Sequence, residues 1–144
     1  NPEARGTLLG LSRGSSNAHI ARAALESIAY QTYDILKAME KDSKSKIKEL
    51  RVDGGATQNN FLMQFQSDIL KTNVIRPAIT ETTALGAAFL AGLAVGFWES
   101  IDQLQSLWQE EKTFVADKQT TYKTQLEAWK RATDTVKYWA NYNH

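Results

Sequence analysis

The sequence predicts an α/β domain, in which helices pack on a parallel sheet. Short apolar segments alternate with amphipathic helical patterns in the order strand, helix, strand, helix, strand, helix. This order is typical of α/β layers with parallel strands. The 144 residues are 42% hydrophobic and 23% charged, the composition of a globular domain that can bury a core of its own.

The first predicted strand covers residues 6–11, and the turn-rich segment 12–17 closes it. A helix is predicted from His19 to about Lys41, with Ser16 or Asn17 as its N-cap. The helical prediction rests on apolar or small residues spaced three or four apart. These residues are Ile20, Ala24, Ile28, Ile35 and Met39.

The second predicted strand, residues 47–52, alternates apolar and charged side chains and leads into a glycine pair, Gly54 and Gly55. A second helix follows, with Asn59 or Asn60 as its cap. A short extended piece at residues 74–77 is the third predicted strand. The pattern therefore places a glycine loop between a strand and a helix.

A third helix is predicted at residues 84–97, capped by the hydroxyls of Thr82 or Thr83. It is apolar on all sides and rich in alanine and glycine, so we expect it to be buried. Beyond Glu99 the pattern is helical, with a polar linker at 110–121. One domain is predicted, with a core at 1–98 and a C-terminal helical extension at 99–144.

Charge and composition exclude several classes of protein. The formal net charge is only +1, with no long basic block, so the electrostatic footprint of a nucleic-acid-binding protein is missing. Without cysteine and with two histidines, a Cys/His zinc site is impossible. The longest apolar run, residues 84–98, is shorter than the roughly 20 residues of a membrane-spanning helix. No signal peptide begins the chain, which favours a cytoplasmic protein, and the first residue, Asn1, suggests a piece of a longer one.

Asp53, Gly54, Gly55 and Ala56 form the most informative local motif. A strand that delivers two glycines to a helix N-terminus leaves backbone N–H groups exposed, and a flat ligand or phosphate can approach the main chain. Nucleotides are bound in this way. The alternative is that Asp53 and Gly54 form a plain hairpin turn.

A second motif, Gly10-x-Ser12-x-Gly14, matches the turn that presents the nucleophilic serine of α/β-hydrolases. Its base would be His19 or His144, which are poorly placed in sequence, so a strand-ending turn is the favoured interpretation. His19 itself is expected to be a packing or capping residue. Gly92 and Gly96 have the spacing of close helix packing, and Trp98, Trp108, Trp129 and Trp139 are interpreted as core and helix-seam residues.

Three ordered blocks of the sequence resemble the C-terminal signature of the FGGY family of carbohydrate kinases. The blocks are residues 4–32, residues 50–70 and residues 82–98. The resemblance covers roughly residues 2–98 and thins beyond Glu99 to an aromatic pattern at Tyr122 and Trp129. Where the family often has a proline after the position of Phe114, this chain has Val115 and Ala116.

The resemblance implies an actin-like, ribonuclease-H-like ATPase fold, of which this chain would be an incomplete C-terminal domain with extra C-terminal helices. It implies a phosphotransferase that uses ATP with Mg²⁺ and releases ADP. The density of the match favours the members that phosphorylate glycerol to sn-glycerol 3-phosphate. Members of the family are often dimers or tetramers, so a homo-oligomer is one expectation for the complete protein. The low net charge and the short apolar runs favour neither a nucleic-acid nor a membrane partner.

The resemblance assigns nucleotide-binding residues but no catalytic ones. Gly54 and Gly55 would pack against the nucleotide by bare backbone, and Asn59 would hydrogen-bond it, while Asp53 would orient the loop. The catalytic aspartate, the polyol-binding residues and the phosphate loops of the family lie upstream of the matched segment. No catalytic residue or metal ligand is therefore assigned here, and the segment alone is expected to be inactive.

Three alternatives stay open on the sequence. The first is another FGGY kinase that acts on xylulose, gluconate or a related polyol. The second is a non-enzymatic, actin-like nucleotide-binding module. The third is a purely structural domain without a ligand.

Overall fold

The computed structural model describes residues 1–141; His144, one of the two histidines considered as a base, lies outside them. The described residues form five α-helices: α1 Asn17–Ser43, α2 Asn60–Leu70, α3 Thr82–Ala94, α4 Ile101–Ser106 and α5 Lys123–Asn141. They form three strands: β1 Glu49–Arg51, β2 Asn73–Pro77 and β3 Glu110–Phe114. A 3-10 helix, Gly55–Gln58, lies between β1 and α2.

The strands form one sheet in the order β1-β2-β3. β1 and β2 are parallel, as predicted, but β3 is antiparallel to β2 and lies in the segment predicted to be a polar linker. That prediction is wrong because only one end of β3 is apolar. Phe114 is buried opposite Val74, whereas residues 110–112 are exposed on an edge strand.

The predicted first strand is also wrong, since residues 6–11 form no strand in the described part of the chain. Leu8, Leu9 and Leu11 are each more than half exposed. A β-strand depends on hydrogen bonds to a neighbouring strand. The described residues offer this segment no such neighbour.

Helix α1 begins where the sequence predicts. Ser16 is its N-cap, and the ring Nδ1 of His19 accepts a hydrogen bond from the Ser16 backbone N–H at 3.1 Å. His19 is therefore a capping residue, one of the two roles expected for it. Farther along the helix, Ala29, Tyr30 and Leu36 are buried.

The core lies between α1, α2 and the sheet, and aromatic side chains of α5 and of Tyr122, directly before α5, complete it. Tyr30 stacks on Trp129 of α5 with ring centroids 5.4 Å apart, and Phe65 meets Tyr122 edge-on at the same distance. The indole N–H of Trp129 donates to Asp34. The helix-seam role predicted for the tryptophans is confirmed for Trp129, but Trp139 is 71% exposed.

Helix α3 contradicts the prediction that it is buried. Gly92 is its one buried residue, while Leu90 on the helix and Val95 just beyond it are largely exposed. Much of the apolar surface of α3 is therefore not covered by the described residues. Within residues 1–141, no helix is both long enough and apolar enough to cross a membrane.

Candidate functional site

The glycine loop, residues 53–59, follows β1. Backbone hydrogen bonds join this part of the chain to the neighbouring strand β2 and to the segment after β2. The Val52 N–H donates to the Ile75 carbonyl at 3.1 Å, and the Gly54 N–H donates to the Thr80 carbonyl at 2.8 Å. Gly54 has φ +83° and ψ 167°, a conformation that is essentially restricted to glycine. A side chain at this position would strain the loop.

The 3-10 helix tightens the loop through Thr57. Both the backbone N–H and the hydroxyl of Thr57 donate to the Gly54 carbonyl, at 3.1 and 2.7 Å. Thr57 is only 3% exposed, so this pair of hydrogen bonds is shielded from water. The carbonyl of Gly54 is consequently engaged within the loop itself.

Asn59 ends the 3-10 helix and begins α2. Its side-chain oxygen accepts from the Leu62 N–H at 3.0 Å, which makes it the N-cap of α2, as the sequence predicts. Its backbone N–H donates to the Ala56 carbonyl at 3.2 Å. Because the oxygen is engaged and the residue is exposed, the side-chain amide offers N–H donors to a ligand.

The open face of the loop has room for a ligand against the main chain. A methyl group built on Gly54 or on Gly55 would have no heavy atom within 4 Å, apart from its chain neighbours. Gly55 and Ala56 are exposed, so the main chain of the turn is accessible to a ligand. The hairpin alternative is wrong, since α2 separates β1 from β2 and the two strands are parallel.

Asp53 and Thr82 join the loop to the first turn of α3. The Thr82 hydroxyl donates to the Asp53 carboxylate. Thr82 was predicted to be a cap but lies inside α3, whose N-cap position, Glu81, makes no capping hydrogen bond through its side chain. The hydroxyl of Thr82 therefore holds Asp53 instead of the helix end.

Two residues that position the site were missed by the sequence analysis: Thr57 and Arg76. Arg76 is 4% exposed, and its Nη1 donates to the Thr57 carbonyl at 2.7 Å and to the Asn60 side chain at 3.0 Å. The one available signal was a charged residue in an otherwise apolar strand. Its partner Glu111 lies in the segment predicted to be a linker.

The hydrolase motif is not assembled into a nucleophile and base. The Ser12 hydroxyl oxygen accepts from the Gly14 N–H at 3.3 Å, while His19 is engaged with Ser16 at 2.8 Å. The segment is therefore a turn, as favoured from the sequence. Among the described residues, no three acidic or histidine side chains are grouped to hold a metal ion, and we assign no metal ligand.

A sequence profile described as the FGGY family of carbohydrate kinases, C-terminal domain, matches residues 1–95. The chain belongs to the FGGY family of carbohydrate kinases. Residues 53–59 lie inside the matched segment, so the glycine loop is part of the family's C-terminal domain. The resemblance seen in the sequence is confirmed.

Relatives with high identity to this FGGY chain are named glycerol kinases. The chain is 59% identical to glycerol kinase of Paraburkholderia xenovorans over 142 residues and 57% identical to that of Borreliella afzelii over 143 residues. In both cases the match covers 98% of this chain but 28% of the relative. The chain thus spans little more than a quarter of the length of these relatives.

Solved structures of FGGY kinases share the fold. Plasmodium falciparum glycerol kinase with ADP matches 92% of this chain and 27% of its own, with a TM-score of 0.76 and 36% identity. Xylulose kinase from Rhodospirillum rubrum has the same TM-score at 23% identity and covers 96% of this chain and 28% of its own. The chain has the actin-like, ribonuclease-H-like fold of these kinases, as part of their C-terminal domain.

Proposed function

We propose that this chain is the nucleotide-binding part of a glycerol kinase, which transfers the γ-phosphoryl group of MgATP to glycerol and gives sn-glycerol 3-phosphate and ADP. The observation that carries the proposal is the 56–59% identity to proteins named glycerol kinases across nearly the whole chain. The structure of Plasmodium falciparum glycerol kinase with ADP supports an adenine nucleotide as the ligand. The cytoplasm, where MgATP is abundant, is the compartment that fits this reaction.

Gly54, Gly55 and Asn59 are the proposed nucleotide contacts. The two glycines leave the main chain uncovered, so the flat face of the adenosine can lie directly on the backbone. The Asn59 amide supplies hydrogen-bond donors at the start of α2, since its oxygen already caps the helix. The open space beside both glycines supports this proposal, since a Cβ built at either one meets no heavy atom within 4 Å apart from its chain neighbours.

Phosphoryl transfer depends on positioning and on neutralising the charge around the migrating group. When bound, MgATP supplies the phosphoryl group, and the residues of this chain bind and orient its adenosine end. The catalytic base, the glycerol-binding residues and the phosphate loops are expected in the part of the relatives that this chain does not match. The 144-residue chain alone is consequently expected to be inactive.

Another FGGY kinase is the second candidate, because xylulose and gluconate kinases share this fold at 20–23% identity. Their likeness supports the fold alone and not the acceptor. A non-enzymatic nucleotide-binding module is the third candidate. The sequence identity to glycerol kinases favours a glycerol kinase over both of these candidates.

A coupled ADP-release assay on the complete gene product that contains this chain tests the proposal. It uses MgATP with glycerol, xylulose, gluconate or no acceptor. Acceleration by glycerol alone is expected. Acceleration by another polyol would overturn the choice of substrate and leave the nucleotide site standing, whereas ADP binding without ADP release from MgATP, with any acceptor, would favour the non-enzymatic module. Light scattering of the same sample tests the expected homo-oligomer.

A further inference from the structure

Arg76 is a buried cation whose guanidinium contacts three segments of the chain. Its side chain is 5% exposed. Its Nε and Nη2 donate to the two carboxylate oxygens of Glu111 at 2.8 and 3.0 Å. Its Nη1 donates to the Thr57 carbonyl and to the Asn60 side-chain oxygen. The planar fork of arginine makes these four bonds at once, which a lysine cannot do.

The contacts through Nη1 lie at one end of the proposed nucleotide loop. Thr57 holds the Gly54 carbonyl with two hydrogen bonds, and Asn60 is the first residue of α2, directly after Asn59. Arg76 therefore fixes the position of the 3-10 turn relative to the helix that Asn59 caps. Arg76 is thus bonded to the residue that holds the Gly54 carbonyl and to the residue that follows Asn59.

Glu111 fixes the orientation of the guanidinium from the other side. The two parallel hydrogen bonds hold the fork in one plane, and the carboxylate compensates the buried charge. The ring of Phe114, also on β3, lies 5.4 Å from the guanidinium carbon. The edge strand β3 thus supports the loop although none of its residues lies in the loop.

We propose that Arg76, held by Glu111, is a positioning residue for the nucleotide: it fixes the position of Gly54 and Gly55 relative to Asn59. This inference rests on the proposed function. Loss of the Arg76 guanidinium should weaken the binding of adenine nucleotides and leave the binding of glycerol unaffected. A purely structural role would instead lower stability without separating the two substrates.

The chain offers a matched control in Arg51. Arg51 also pairs with a glutamate, Glu49, at 2.9 Å, and its guanidinium also lies over an aromatic ring, that of Trp108, at 4.4 Å. Unlike Arg76, its side chain is 59% exposed and none of its side-chain hydrogen bonds reaches the loop. Arg51→Lys therefore removes an arginine fork without touching Thr57 or Asn60.

The test compares Arg76→Lys, Asn60→Ala and Arg51→Lys in the complete gene product. The measurements are the KM for MgATP, the KM for glycerol, the dissociation constant of ADP and the melting temperature. Misplaced binding groups cost up to about 100-fold. We expect Arg76→Lys to raise the KM for MgATP and the ADP constant about tenfold, with the KM for glycerol within about twofold.

Asn60→Ala keeps the experiment decisive if Arg76→Lys does not fold, because it removes one contact without leaving a buried charge unpaired. We expect it to raise the same two constants about threefold, and Arg51→Lys to change none of them. Equal changes for MgATP and glycerol, or unchanged ADP binding in folded variants, would overturn the role of Arg76. A wild-type protein that does not bind ADP would overturn the proposed function, and this role with it.

Discussion

The backbone N–H of Gly54 donates to the carbonyl of Thr80 over 2.8 Å, and this hydrogen bond joins the end of β1 to the segment that leads into α3. The carboxylate of Asp53 and the hydroxyl of Thr82 bridge the same two segments. The glycine loop is thus held at its base by β2 and α3 and at its far end by Arg76. Gly55, Ala56 and Asn59 of the loop are nevertheless exposed.

Gly54→Ala is expected to lower both stability and ADP affinity. The backbone at Gly54 lies in a region that costs other residues about 1–3 kcal/mol. The matched control is Gly96→Ala, since Gly96 also has a positive φ, of +73°, but lies beyond α3. Thermal denaturation should show a loss of stability in both variants. Calorimetric titration should show a loss of ADP affinity in Gly54→Ala alone. Equal ADP affinity in the two variants would contradict the role of this loop.

Asn59 is expected to have two separable roles. Asn59→Ala removes the cap of α2 and should cost about 1 kcal/mol of stability as well as ADP affinity. Asn59→Asp keeps a capping oxygen but loses the amide donors, so it should retain stability and still bind ADP about tenfold more weakly.

The cap of α4 provides the control for Asn59. The Ser100 hydroxyl oxygen accepts from the Gln103 N–H at 3.2 Å, far from the loop in the chain. Ser100→Ala should therefore lower stability and leave ADP binding unchanged. Denaturant unfolding and ADP titration measure the two effects. Wild-type ADP affinity in Asn59→Asp would show that the amide donors do not contact the nucleotide.

Gly92→Ala is expected to displace Trp98. A Cβ at Gly92 would lie 2.1 Å from two ring carbons of Trp98, so the indole must move. The expected cost is about 1–3 kcal/mol, measured by thermal denaturation. Gly86→Ala on the same helix meets no atom within 4 Å and should be neutral or stabilising. Equal melting temperatures for the two variants would refute the contact.

Ionisation of the Tyr30 hydroxyl is expected to lower the stability of the fold at alkaline pH. Burial, with a smaller contribution from the Glu26 carboxylate, raises the pKa of Tyr30 to about 12 from its ordinary value of 10. The folded state therefore retains the phenolic proton while the unfolded state loses it. The stabilisation is complete below pH 10 and disappears as the pH rises to about 12.

Denaturant unfolding between pH 9 and pH 12 measures this loss, with Tyr30→Phe as the comparison. The phenylalanine ring preserves the stack on Trp129 and removes the titrating hydroxyl. The variant should lose less stability over the same pH range. Some dependence should persist, because burial also raises the pKa of Tyr122. Identical pH profiles would contradict the assignment to Tyr30.

The sequence predicts the local parts of this structure well. Helix α1 follows from residue spacing, and the caps Ser16 and Asn59 follow from capping chemistry. The glycine loop is a local feature too, since a strand, two glycines and a helix cap succeed one another within about ten residues. Each of these depends on neighbours close in the chain.

The features that were missed depend on distant partners. β3 is a strand because Phe114 pairs with Val74, which its charged neighbours do not reveal. Arg76 reaches Thr57, 19 residues away, and Glu111, 35 residues away. Burial of α3 was predicted from its own composition, but burial is decided by what packs against the helix. Pairing and packing of this kind are set by the tertiary fold.

The binding of ADP to the complete gene product, with and without Gly55→Val, tests the central claim most directly. The valine side chain enters open space, so folding should be unaffected and the melting temperature should match the wild type. We predict that the wild type binds ADP and that the variant binds it at least about tenfold more weakly, a loss of about 1.4 kcal/mol. Equal dissociation constants would show that the nucleotide does not lie on this loop.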